Sequence, residues 1–169
     1  MTVLAALLAD YGGYHRDPRN RMTHYFGVPA IIYSVLIATA LPSVTAFGVA
    51  IGIDRFIIAL FVLLYLMLDI RLGLALAAVL SLLAWAAEAT TRLGTQAALT
   101  LAGVIFVLGW ALQLVGHHLE GNRPALLTNL FQVVVSPLYL AAEITFGLGL
   151  RSALHAEVQQ RLGRSRVQK

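Results

Sequence analysis

The sequence predicts an all-α integral membrane bundle of about four transmembrane helices, with a re-entrant or packed helix near the C-terminal end. Three observations carry that expectation. Of 169 residues, 59% are hydrophobic and 12% charged, with a mean hydropathy of +0.80, far from the balance of a soluble domain. No charged residue occurs from Tyr25 to Ile53, and further uncharged runs cover Phe56–Leu68, Leu72–Ala87, Leu93–Gly116 and Pro124–Ala142. The basic residues, which prefer short cytoplasmic loops, are distributed as an even number of crossings requires.

The first ten residues, MTVLAALLAD, have no basic leader and only a short apolar run. They read as a short amphipathic helix in an interfacial segment 1–27, not as a signal peptide. Four spans follow: Pro29–Ser43 or somewhat beyond, Arg55–Leu68, Arg71–Ala87 and Thr95–His117. With four crossings, ten basic residues fall on the inner side and two on the outer. If Pro124–Leu150 crossed as a fifth, the count would become five against seven. That last run also carries Asn129, Gln132, Ser136, Pro137 and Glu143, and a mid-helix proline frees a carbonyl that lipid cannot satisfy. Two spans are short, and Arg55 and Arg71 extend them by snorkelling. Asp69-Ile70-Arg71 is then the tight turn of a helical hairpin. The chain reads as a single membrane-embedded domain, 1–169, with a basic tail over 151–169.

Cysteine is absent, so any metal must be held by nitrogen or oxygen. The net charge of +4 points to anionic lipid and not to nucleic acid, because five of the twelve basic residues lie after Leu150 and the others are scattered between apolar runs.

Polar residues concentrate in two places: YHRDPRNRMTHYFGVPA (Tyr14–Ala30) and WALQLVGHHLEGNRPAL (Trp110–Leu126). Four crossings put His15, His24, His117 and Glu120 on one membrane face. On one helix Trp110, Gln113 and His117 share a stripe, with Glu120 a turn further on. A break at His-Arg-Asp-Pro lets His15 fold back toward His24, and Asn20 shares the face of His24. Several imidazoles buried at a membrane face cost desolvation unless something binds them, and a metal is the simplest partner. The candidate ligands are His15, His24, His117 and His118. Glu120 is ligand, ring-orienting partner or proton carrier, and Asn20 and Gln113 orient ligand rings. His155 belongs to the solvated or lipid-facing tail.

The pattern Y-H-x4-N-x3-H-x2-G-x-P at Tyr14–Pro29, with Q-x2-G-H-x2-E-x3-P-A-L at Gln113–Leu126, resembles the Mpo-type 2-hydroxy fatty acid dioxygenases. TNL at Thr128–Leu130 and SPLYLAAE at Ser136–Glu143 continue the resemblance. It implies an iron(II)-dependent membrane enzyme of fatty acid α-oxidation, which uses dioxygen to shorten a 2-hydroxy fatty acid by one carbon with release of carbon dioxide. The family's histidines map onto His15, His24 and His117. Arg16, Arg19, Arg21 or Arg123 would attract the substrate carboxylate. The resemblance also implies the endoplasmic reticulum in a eukaryote; in a bacterium the inner membrane is expected, with the metal site near the cytoplasmic face. Two other readings compete: a zinc-dependent hydrolase of a lipid amide with Glu120 activating water, and a non-enzymatic lipid-binding or transport protein.

Overall fold

The computed structural model describes residues 2–121 and 131–167. Seven α-helices and one two-stranded hairpin make up the described chain. The amphipathic N-terminus forms α1 (Val3–Gly13), started by the Thr2 hydroxyl, which accepts from the Ala5 amide. Its Leu4, Ala5 and Leu8 are buried against later helices, so α1 is part of the core.

The break at His-Arg-Asp-Pro is present, but the first spanning helix begins earlier than the sequence suggested. Helix α2 runs Pro18–Ala40, capped by the Asp17 carboxylate and carrying Pro18 in its first turn, where a missing N–H costs nothing. Pro29 lies inside it and does not mark its start. The uncharged run beyond Leu41 is not helical. Ser43–Ala46 (β1) and Val49–Gly52 (β2) pair antiparallel, with Ser43 opposite Gly52 and Ala46 opposite Val49. Phe47 and Gly48 both take positive φ, 52° and 78°, the combination that a tight two-residue hairpin requires.

Helix α3 (Ile53–Leu68) and α4 (Ile70–Thr91) form the expected hairpin. Asp69 closes it, accepting from the amides of Arg71 and Leu72. Gly73 lets the backbone of Leu66 approach more closely than a Cβ would allow. Helix α5 (Thr95–Glu120) then runs antiparallel to α2 along its length, with Gly27 against Gly109 and Gly116 against Asn20 and Thr23. Small residues at such crossings let backbones meet where lipid gives no hydrophobic drive to associate.

Helices α2, α4 and α5 are each long and apolar enough to span a bilayer. Helix α3, with 16 residues, is only ~24 Å long. Parity nonetheless requires it to cross. The start of α2 and the end of α5 meet in space, with the rings of His24 and His117 5.1 Å apart, and three crossings would leave them on opposite faces. Leu60, Met67, Leu82, Trp85, Val107 and Leu108 are exposed around the bundle, as lipid-facing residues are.

Helix α6, described from Phe131 to Gly147, and α7 (Ser152–Val167) meet at a bend of 116°. Arg151 at that bend is ion-paired with Asp69 of the α3–α4 turn. Tyr65 donates to the Val134 carbonyl, 2.9 Å, in the turn before Pro137. The described part of the last apolar run, from Phe131 on, is thus packed against the bundle. The basic tail is helical: α7 lies along α1, with Leu154 and Val158 buried and Glu157 accepting from the Thr2 amide. One core cluster joins α1, α2, α3, α4, α6 and α7, and a second, including Leu36, Ile37, Ala87, Ala98 and Ala102, closes the far end.

Candidate metal centre

Three histidines that are far apart in sequence meet at the end of the bundle. His15 comes from the connection between α1 and α2, His24 from the second turn of α2, and His117 from the last turn of α5. They are 2%, 3% and 4% exposed. One ligand-capable nitrogen from each ring lies within 4.8 Å of the others, and the ring centroids are 4.5, 5.0 and 5.1 Å apart.

Backbone carbonyls set the proton positions on two of the rings. His15 Nδ1 donates to the Tyr11 carbonyl and His24 Nδ1 to the Asn20 carbonyl, each at 2.9 Å. A carbonyl only accepts, so each Nδ1 carries its ring's proton and each Nε2 is left with a lone pair. Those two Nε2 atoms are 3.1 Å apart. Burial pushes the His15 imidazole down to about 3, with the charges of His24 and His117 acting in the same direction, so the ring is neutral near pH 7. His15 Nε2 can then only accept, and where His24 is neutral too the two lone pairs face each other, an opposition that a cation between them relieves. This donor set fits a metal that favours imidazole.

The supporting residues fall into place around the trio. Both oxygens of Glu120 are engaged: Oε1 accepts from the amides of Arg16 (2.5 Å) and Asp17 (3.0 Å), and Oε2 from the Asn20 side-chain amide. Asn20 is fully buried, its amide nitrogen 3.5 Å from His117 Nδ1. His118 is exposed and lies outside the trio, because one residue of helical rotation turns it away from α2. His155 stacks on Phe146 and bonds Gln159, apart from the three. Of the arginines expected to attract a carboxylate, Arg19 is paired with Asp17 and Arg21 with Glu143, while Arg16 is exposed. Arg123 lies outside the described residues, as does Asn129.

The trio lines one end of a cavity of ≈ 90 Å³ whose other walls are Val28, Ile31, Ile32, Trp110 and Val133, with Gln113, Gln132, Ser136 and Tyr11 contributing polar atoms. Sequence reasoning did not find Tyr11, Ser136 or Gln132 as site residues. Tyr11 stacks on His15, centroids 4.1 Å apart and planes within 4°, and donates to Ser136, 2.8 Å. Its position four residues before His15 on a helix was the available signal. Asn20, Gln113 and Gln132 each bury an amide oxygen that has no hydrogen-bond donor among the described residues.

A family model described as 2-hydroxy-palmitic acid dioxygenase Mpo1-like matches residues 1–148. The chain belongs to the Mpo1-like family. Its relative 2-hydroxy-palmitic acid dioxygenase MPO1 of Saccharomyces cerevisiae is 34% identical over 161 residues, covering 94% of this chain and 89% of that protein. No solved structure matches. In this Mpo1-like chain the matched region contains all three histidines, Glu120 and the cavity, and ends before α7.

Proposed function

We propose that this protein is an iron(II)-dependent 2-hydroxy fatty acid dioxygenase that removes C1 of its substrate as carbon dioxide and leaves an acid one carbon shorter. The observation that carries the reading is the pair of buried imidazoles whose Nδ1 protons are held by backbone carbonyls, leaving two Nε2 lone pairs opposed at 3.1 Å. His15, His24 and His117 would hold the metal, which would supply the electron-transfer chemistry that makes dioxygen reactive toward the C1–C2 bond.

The reaction balances without a further reductant. Converting the 2-hydroxy acid to the shorter acid, carbon dioxide and water removes four electrons, and one dioxygen accepts four. No 2-oxoglutarate is therefore needed. The remaining work belongs to the chain's own residues. The carbonyls of Tyr11 and Asn20 fix the rings, and Glu120 ties the His15 loop and Asn20 to the end of α5. A cavity of ≈ 90 Å³ holds the volume of about three waters, enough for a carboxyl and hydroxyl head. A long acyl chain continues past the half-buried Ile31 and Trp110 and the exposed Val133 toward lipid.

The geometry favours this reading over its two competitors. A zinc hydrolase needs a free carboxylate to activate water, and both oxygens of Glu120 are committed. Histidines that bind headgroups would be open to the interface, whereas these three are buried. Arg16, Arg19 and Arg21 beside the site, with Arg71 in the α3–α4 turn, support a site near the cytoplasmic face by the charge rule for short loops. The test is oxygen uptake by purified protein with 2-hydroxyhexadecanoic acid, alongside elemental analysis. Uptake that needs ferrous iron, with equimolar carbon dioxide, and that is lost in His24→Ala and His117→Ala supports the assignment. Stoichiometric zinc and lipid turnover without oxygen uptake would refute it.

A further inference from the structure

Gln132 lines the histidine cavity from α6 and is 5% exposed. Its amide nitrogen donates to the Asp10 carboxylate of α1 at 2.6 Å. A carboxylate near neutral pH only accepts, so this bond fixes which end of the amide is which. Oε1 is therefore an acceptor, and among the described residues it has no donor. A buried acceptor without a donor is costly, and a ligand that displaces water from this cavity must bring a donor of its own to avoid that cost.

The requirement discriminates among acids. An ionised carboxylate has no proton to offer, nor does an unsubstituted C2 methylene, but a hydroxyl on C2 has one. We propose that Gln132 is a specificity-determining residue, whose Oε1 accepts from the 2-hydroxyl and so selects 2-hydroxy acids over plain fatty acids. The inference rests on the proposed dioxygenase reading and adds to it the residue that recognises the hydroxyl. Asp10 acts through Gln132, as the positioning residue that keeps the amide from turning over.

The test compares anaerobic thermal stabilisation of the purified full chain by 2-hydroxyhexadecanoic acid and by hexadecanoic acid, whose ratio cancels partitioning into detergent. In Gln132→Met, which keeps the length and removes the acceptor, affinity for the hydroxy acid should fall about tenfold while that for the plain acid is unchanged. Metal content should not change. Asp10→Leu removes the acceptor that holds the amide, freeing it to present its N–H to the cavity, and should also lower the preference, so it carries the test if Gln132→Met does not fold. A preference undiminished in either folded variant would overturn the inference alone. Wild-type protein stabilised by neither acid would overturn the proposed function and this inference together.

Discussion

Replacing Glu120 by alanine should separate positioning from chemistry at the metal centre. The carboxylate holds three donors: the amides of Arg16 and Asp17, and the Asn20 side chain. The two backbone groups lie at an exposed to half-buried loop and regain water when released. The Asn20 amide is fully buried and regains nothing. Leaving one such donor unpaired costs about 1–3 kcal/mol, and the lost charge-assisted bonds of the loop add about 1 kcal/mol after discounting for solvent, giving about 2–4 kcal/mol. Freed from α5, the loop would also let His15 move off His24, so metal affinity should fall about 10–100-fold. Glu120→Gln keeps one acceptor oxygen for the loop amides and should recover most of both quantities. Thermal unfolding of the metal-free protein measures the first, and metal titration the second. Glu120→Ala with wild-type stability and metal affinity would refute the positioning role; equal damage in Glu120→Gln would instead point to a need for the charge.

Acidification supplies a second expectation. Burial depresses His15 to about 3, below its unfolded value of about 6.5, so between those values the unfolded chain binds the extra proton. The contribution of neutral His15 is complete above about pH 6.5 and is lost as pH falls toward 3. Unfolding temperatures of metal-free protein from pH 7.5 to 4.5 should drop, and drop less in His15→Asn. Third, Gly109→Ala places a Cβ 2.8 Å from Ile31 Cγ1 at the α2–α5 crossing, whereas Gly103 on the same helix has open space around it. The first substitution should destabilise by about 1–3 kcal/mol and weaken metal binding, while Gly103→Ala should be neutral or stabilising by up to about 1 kcal/mol. Parallel thermal unfolding of the two variants reads the contrast.

Much of the bundle was legible because its signals are local. Long uncharged runs gave α4 and α5, and the break at His-Arg-Asp-Pro was legible, although the spanning helix was expected to start only at Pro29. Pro29 misled because a glycine and a proline two residues apart read as a boundary, while tertiary packing of Gly27 on Gly109 keeps α2 continuous through it. The run after Leu41 is uncharged and apolar whether it forms a helix or a hairpin, and only the paired positive φ values at Phe47-Gly48 decide. At the site, the histidines stood out by type and by the two polar concentrations that hold them, while their spacing alone was a weak signal. His117 and His118 are neighbours in sequence, and only the rotational register of α5 against α2 distinguishes them. The Asp10–Gln132 bond joins two ordinary residues 122 positions apart, and nothing in either segment announces it.

The architecture and the chemistry depend on one another through the direction of two carbonyls. The Tyr11 carbonyl can serve His15 because α1 ends there: it accepts the Tyr14 amide at 3.0 Å in the closing turn, and its second lone pair takes the ring N–H. The Asn20 carbonyl serves His24 from four residues earlier on α2. Neither arrangement needs His117, yet the trio closes only if α5 ends at the same face as α2 begins, which the short α3 secures by crossing. The same closure explains Glu120. A carboxylate at the C-terminal end of α5 meets an unfavourable dipole on its own helix, but it lies against the free amides at the start of α2, where negative charge is favoured. The placement that costs α5 a little thus stabilises the junction of three chain segments on which the cation site is built.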